Sequence, residues 1–546
     1  MGNSVVFVPI LPAIITEKNM RRFHSYGPVD SEEHFCVSRT ELLRNCTEQL
    51  VGNPEKGGHY FTIWAPRQTG KTWLMRQVRK EITERFGSGF VFGTMSVQGI
   101  VMDEEEPAEN FLEKIPHLFR ETFEKEIPAP TSWESFETLF SKKTDMFERP
   151  VILFIDEFDS LPPKVIDRLV TLFRDMYLKR ESYLLHGLAL IGVRAVLGLE
   201  SRRGSPFNIQ RSLHVPNFTE EEVRDLFEQY HRESGQIIDP EALSRVYEST
   251  RGQPGLVCWF GELLTEKYNP GKDMTIGIPV WETVYRKARN VEWNNTVLNL
   301  LKKAEQYQPY VIEIFGNPEI PFSLRNEWCA YLYLNGIIDH AEYEDNAGKT
   351  KEVCRFSSPF VQDCLYDALT NDLVGDRLPI PAIEPLDWLS DVFDEPELNL
   401  PALLERYKAY LKRLKAKGLN PWKDQPRRAD LHLTEYVGHF HLYFWLQNAV
   451  GRRCVISPEF PTGKGRVDLH LNCGGKRGII EVKSFTDISE LKYSREQACR
   501  YAKKLGFGSV TIAVFVPVED ENILNQLSGK TLTDGVTAIV SAIGWV

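Results

Sequence analysis

The 546-residue chain sets 65 basic against 76 acidic residues, a formal net charge of −11, and is 42% hydrophobic and 26% charged. Such a length exceeds what one hydrophobic core organises, so three or four domains are expected, in an ordinary soluble globular composition. The acidic balance excludes a protein that coats nucleic acid through its overall charge, but not one with a local basic groove.

Residues Val5 to Ile15 are a short apolar run broken by two prolines. It lacks the basic start and cleavage site of a signal peptide and is too short to span a bilayer, so a cytoplasmic protein with no membrane segment is expected. The nine cysteines are scattered without a CxxC pair. That pattern predicts reduced thiols, with neither a zinc site nor a disulfide framework.

The first chemical signal is HYFTIWAPRQTGKTWLMRQVRKEI, which reads as strand, loop and helix. Tyr60 to Trp64 is the strand, and Ala65, Pro66, Arg67, Gln68, Thr69 and Gly70 form the loop. Lys71 and Thr72 open the helix. The loop fits GxxxxGK[ST] with Ala65 at the first glycine, a replacement that is tolerable where φ stays negative. Backbone N–H groups would cradle ATP phosphates, Lys71 would reach the β- and γ-phosphates, and the Thr72 hydroxyl would ligate Mg2+. The run PVILFIDEFDSL supplies the second half of such a site. Its buried strand ends in Asp156, placed to bind the magnesium through water, and Glu157, placed to polarise the attacking water. Arg194 closes the strand GLALIGVR, as a γ-phosphate sensor or as a surface arginine. FTEEEVRDLFEQY carries Thr219 and Glu222 at capping-box spacing, and RGQPGLV breaks the chain before an apolar helix.

The stretch from Gly27 to Arg39, APRQTGKT, IDEFD, SPFNIQRSLHVPNFTEEEV and RGQPGLV together resemble the AAA-like ATPase domains of bacterial STAND-type NTPases, over about Phe23 to Tyr268. The resemblance implies that Tyr26 to Arg39 lies against adenine and that Gly252, Gln253 and Pro254 form a turn near the nucleotide. It also implies that ATP controls conformation and oligomerisation. Glu157 stands where many relatives carry a second Asp, which leans toward hydrolytic competence.

Val291 to Val374 reads as helices with a β-wing, similar to the winged helix that follows the ATPase core in STAND proteins. Gly375 to Glu397 reads as a proline-rich connection. A basic stretch follows, from Arg406 to Arg428, as a solvated face or as a phosphate contact.

From Leu431 the pattern is helix, strand, strand, helix, strand. Asp468 and Glu481 lie on neighbouring hairpin strands, and Lys483 shares a strand face with Glu481. Two carboxylates sharing Mg2+ beside an ammonium group would neutralise charge and orient water for phosphodiester hydrolysis. Asp468, Glu481 and the Val482 carbonyl would hold the metal, Lys483 would position the water, and Glu435 would complete or brace the shell. His439 and His441 are expected to be structural. The order D-x(12)-E-x-K resembles the PD-(D/E)XK nucleases, and Gln497 with Tyr501 matches the QxxxY element of their RecB-like branch.

The expected architecture is α/β multidomain: an N-terminal segment (1–22), an AAA-like P-loop ATPase core with helical lid (23–285) and a winged-helix-like connector (286–374). A linker with a basic helical segment (375–430) leads to a restriction-endonuclease-like domain (431–546). The expected function is a nucleotide-controlled, Mg-dependent nuclease, acting on DNA as a homo-oligomer under a protein or phage-derived trigger. The resemblance implies a role in bacterial antiphage defence. The alternatives are a signalling or scaffold ATPase whose last domain binds nucleic acid without cutting it, and an ATP-driven DNA translocase-nuclease.

Overall fold

The structure is a computed structural model. It describes residues 20–192, 212–317, 319–344, 349–375, 377–394, 397–423, 425, 435–461, 466–485 and 487–545. Arg194, Arg427 and Arg428 lie outside the described residues, as does most of the expected N-terminal segment.

The first module is built on five parallel strands, β1 (Tyr60–Trp64), β2 (Val91–Ser96), β3 (Val151–Asp156), β4 (Leu185–Gly192) and β5 (Ser212–His214), in the order β2-β3-β4-β1-β5. The near-continuous apolar run of β3 has a simple cause, because both faces of the sheet are covered. Ile152 and Phe154 join the core under α1 (Thr40–Val51) and α2 (Lys71–Phe86). Val151, Leu153 and Ile155 face α3 (Ile115–Phe123), α4 (Trp133–Thr138) and α5 (Pro163–Leu178).

A helical lid follows, with α6 (Glu220–Ser234), α7 (Pro240–Thr250), α8 (Pro254–Glu262) and α9 (Ile278–Asn290). The expected capping box is present: the Glu222 N–H donates to the Thr219 hydroxyl and the Glu222 carboxylate accepts from the Thr219 N–H. Helix α9 runs through the position expected for the 285/286 division, because Trp281, Val284, Tyr285 and Ala288 continue one buried face.

The middle module comprises α10 (Asn295–Ala304), α11 (Gln308–Gly316), α12 (Glu327–Leu334), the antiparallel hairpin β6 (Ile338–Glu344) and β7 (Thr350–Phe356), and α13 (Pro359–Val374). The segment read as a linker holds α14 (Ser390–Phe393) and α15 (Leu400–Ala416). Helix α15 buries Leu403, Leu404, Tyr407, Tyr410 and Leu414 in the same core as α16 (Glu435–Val450), so position 431 falls between two helices that pack together. The helical period that spreads the basic residues over the outer face also puts the aromatic ones inward.

The last module has β8 (Val455–Pro461), β9 (Arg466–Cys473), β10 (Lys476–Ser484), α17 (Ile488–Lys504), β11 (Ser509–Val516), α18 (Glu521–Leu527), β12 (Gly529–Thr533) and β13 (Val536–Gly544). The sheet order is β12-β13-β11-β10-β9-β8, with β10, β11 and β13 parallel and the two edges antiparallel. The thiols depart from expectation here, since Cys454 and Cys473 form a disulfide. The β8–β9 register pairs Val455 with Asn472, which brings the flanking cysteines to a Cα separation of 4.1 Å. Among the described residues, one hydrophobic core runs from the lid through α13 to α15 and α16, so the lid, the middle module and one face of the last sheet are packed together, while the ATPase sheet has two cores of its own.

Candidate functional site

The loop after β1 delivers its groups as the motif requires. Gln68 (φ 58°) and Gly70 (φ 90°) take left-handed conformations that turn the chain into the N-terminus of α2. Ala65 is buried and is not among the residues with positive φ, which is why alanine serves where glycine is usual. The Lys71 ammonium donates to the Ala65 and Pro66 carbonyls at 2.8 and 2.7 Å, folded under the loop. Thr69 is buried and its hydroxyl donates to the Pro66 carbonyl, while Thr72 is exposed. Burial pushes the Lys71 ammonium down to about 8, against the pull of Glu157, Asp159 and Asp156. Asp156 and Glu157 are themselves raised, burial being the largest cause for both. Asp159 belongs to this acidic group and was not singled out from the sequence, although it stands in IDEFD two residues after Glu157. A side chain at Gly192 would fall 2.3 Å from its carboxylate, so the end of β4 is shaped around it.

The rear of the loop is occupied by other modules. The Gly255 N–H donates to the Gln68 carbonyl at 3.0 Å, and the Gln253 amide donates to the Arg67 carbonyl at 3.2 Å. Pro254 is buried at the first turn of α8, with Gln253 as its N-cap. The Thr296 hydroxyl, on α10, donates to the Gln68 side chain. Gly336, at φ 76°, ends α12 so close to Pro66 that a Cβ there would lie 2.9 Å from the proline ring. Residues 24–269 match the model of the family described as AAA-like domain.

This segment is an AAA-like P-loop ATPase domain. Its loop, helix N-terminus and acids are of the kind that fits ATP with magnesium: the loop leads into the N-terminus of α2, and the Thr72 hydroxyl and Asp156 carboxylate are oxygen ligands of the type magnesium takes. A search of the curated proteins finds no match. Among solved structures, the chain is similar to a Walker-type ATPase of Pyrococcus abyssi, at 15% identity and TM-score 0.42, over 63% of this chain and 99% of that one. It is similar to the RuvB Holliday junction branch migration motor of Thermotoga maritima, at 14% identity and TM-score 0.33, over 56% and 90%. It is also similar to the Aeropyrum pernix ORC1 protein in complex with DNA, at 14% identity and TM-score 0.30, over 61% and 93%.

The ATPase domain is joined to a second cluster of charged groups far along the chain. Leu469 pairs with Ile480 across β9 and β10, so one further step sets Asp468 opposite Glu481. The Lys483 ammonium lies 2.9 Å from Glu435, 3.7 Å from Asp468 and 3.8 Å from Glu481. Burial alone would lower that ammonium; Asp468, Glu435 and Glu481 overcome it and hold it well above the usual lysine range. Asp468 also accepts from the Val482 N–H at 2.5 Å, which fixes the carboxylate against β10. Among the described residues, no group of three or more His, Cys, Asp and Glu is gathered to hold a metal. Asp468 and Glu481 are instead a pair converging on one cationic point, and such a pair fits magnesium, which takes one or two carboxylates plus water and phosphate oxygens.

Other expected residues fall less centrally. The Gln497 amide donates to the Tyr501 hydroxyl at 3.0 Å, so this pair bonds within α17. His439 and His441 are buried, bonded to Tyr366 and Tyr407 respectively, and burial pushes His441 down to about 3. Among the described residues, five basic side chains of this stretch are ion-paired. Arg406 pairs with Asp387 and Asp391, Lys408 with Glu405, Lys412 with Glu521, Arg413 with Glu384, and Lys415 with Glu519. No described helix is long and apolar enough to cross a membrane.

Proposed function

We propose that the protein is a nucleotide-controlled, magnesium-dependent nuclease in which the ATPase domain governs cleavage of a DNA phosphodiester by Asp468, Glu481 and Lys483. The observation that carries this reading is the convergence of Glu435, Asp468 and Glu481 on the Lys483 ammonium. When bound, magnesium would supply charge neutralisation and a more acidic water. Asp468 and Glu481 would hold it, Lys483 would orient the water and stabilise developing charge, and Glu435 would brace Lys483. Gln497 and Tyr501 would line the approach as one hydrogen-bonded unit. A double-strand cut needs two such sites, so a homo-oligomer belongs to the proposal, as do a cytoplasmic setting and a role in antiphage defence under a protein trigger.

The test is plasmid incubated with magnesium and the wild-type chain, Asp468→Ala or Lys483→Ala, each with and without ATP. Loss of plasmid in wild type alone supports the proposal, and equal loss in all three overturns it. A second reading has its own observation: Lys483 is engaged by all three carboxylates, an arrangement that also suits a module that binds nucleic acid without cutting it. Plasmid bound but intact in the wild-type lane, with magnesium and nucleotide present, selects that reading.

A further inference from the structure

Asp468 is held through its main chain as well as its carboxylate. The His439 Nε2 lies 2.9 Å from the Asp468 carbonyl oxygen, and the His439 Nδ1 is bonded to the Tyr366 hydroxyl. A carbonyl can only accept, so Nε2 carries the proton, and the Nδ1 of the neutral ring accepts from Tyr366. Both side chains are buried, and the Tyr366 ring stacks on Phe440 at 4.5 Å. Tyr366 belongs to α13, which touches the lid at its start, where Phe360 packs against Phe260 and Trp259 at 5.1 and 5.9 Å. Those two rings stand on α8, whose N-terminus holds the Gln68 carbonyl of the phosphate loop. The Gln68 side chain meets Thr296 on α10, a second helix packed against α13.

We infer that Tyr366 and His439 are positioning residues for Asp468, and that α13 transmits the state of the phosphate loop to them from Gln68. This rests on the nuclease reading for its consequence at the phosphodiester, but the mechanical link stands on the contacts themselves. Gln68 lies in the loop that wraps the phosphates, so a shift of that loop on ATP binding moves both α8 and α10. Both bear on α13, and the rigid Tyr366–His439 pair converts movement of α13 into displacement of the Asp468 backbone. Partners of this kind, one bond removed from a metal ligand, change metal affinity or activity by roughly 10- to 100-fold when lost.

The experiment uses the full chain in four forms: wild type, Tyr366→Phe, His439→Gln and Thr296→Val. Tyr366→Phe removes only the hydroxyl and should raise the magnesium concentration for half-maximal plasmid cleavage about 10-fold, with ATP affinity unchanged. His439→Gln can keep a donor toward the Asp468 carbonyl but loses the Nδ1 acceptor for Tyr366, so it should raise the magnesium requirement about as much as Tyr366→Phe. The second readout needs no cleavage: hydrogen exchange of the β9 amides, with and without a non-hydrolysable ATP analogue. Wild type should show a nucleotide-dependent change in β9, and Thr296→Val, compared at saturating analogue, should show a smaller one because only the α8 route remains. A wild type that cuts, with Tyr366→Phe matching its magnesium dependence, overturns the positioning role while leaving the nuclease reading intact. A wild type that cuts nothing but shows the β9 response overturns the nuclease reading and supports the link. No β9 response in wild type overturns the link.

Discussion

Replacing Arg289 by alanine should loosen the junction of lid, connector and last module more than any exposed substitution. Its guanidinium is 4% exposed and donates to Asp363 at 3.0 Å, Asp367 at 2.7 Å, the Tyr443 hydroxyl at 2.5 Å and the Ile456 carbonyl at 3.0 Å. Asp363 is 3% exposed; burial pushes its carboxyl up and Arg289 pulls it back. Removing the cation leaves that carboxylate uncompensated, at a cost of about 3–5 kcal/mol. Protonation is the escape route, because burial already pushes the Asp363 carboxyl up to about 7. Part of this cost is therefore relieved near neutral pH, and the full cost is met only at higher pH, where the comparison should be made. With a urea slope of about 3 kcal/mol/M, the unfolding midpoint should fall by about 1–1.7 M. The assay is urea unfolding followed by circular dichroism, with exchange of the α13 amides to localise the loss. Arg289→Met combined with Asp363→Asn removes both charges and should recover most of the difference. A single Arg289→Ala variant unfolding within about 0.3 M of wild type would falsify the argument.

Two further outcomes follow from the phosphate site. Lys71 must be an ammonium to meet a phosphate, and burial pushes it down to about 8. Its pKa is lowered, so the charged form is complete well below pH 8 and is lost above it; bound phosphate reverses this. ATP affinity should therefore be flat below about pH 7 and fall toward 10-fold per pH unit above 8, with protons taken up on binding. Calorimetry at pH 8 in two buffers of different ionisation enthalpy measures the uptake, and proton release there would contradict the assignment. Gly252→Ala should weaken ATP binding at least about 10-fold while the fold survives, since the left-handed turn strains any side chain by about 1–3 kcal/mol. The added Cβ would stand 1.9 Å from the Phe218 carbonyl, a backbone atom that cannot swing aside. Nucleotide titration beside circular dichroism checks it, and wild-type affinity would remove the turn from the site.

What the sequence disclosed and what it hid divide along chain separation. Lys71 and Thr72 were legible because strand, loop and helix are contiguous there and each residue type has one physical use. The strand ending in Asp156 was legible because an unbroken apolar run marks a strand covered on both faces. The clustering of Asp468, Glu481 and Lys483 was readable because a short hairpin sets register by counting. The contacts that were missed depend on packing between distant segments. Gln68 meets Thr296 across 228 residues, and Tyr366 meets His439 across 73. Nothing near Cys454 announces Cys473, since their approach is a product of the β8–β9 register. The ion pairs of Lys412 with Glu521 and Lys415 with Glu519 were hidden for the same reason, because each acid stands about a hundred positions later.

The shared core also changes what the two sites can be to each other. Had residues 375–430 been a flexible tether, nucleotide binding could have acted on the last module only through local concentration. Instead α15 is packed beside α16, α9 bonds to Arg452 and Asn472, and α13 touches both the lid and His439. If the two sites are coupled through these elements, as proposed above, the linkage is reciprocal. If ATP alters the affinity of the last module for nucleic acid by some factor, nucleic acid must alter ATP affinity by the same factor. On this proposal, the trigger for cleavage is whatever biases the packed junction, and the substrate itself qualifies as part of that bias.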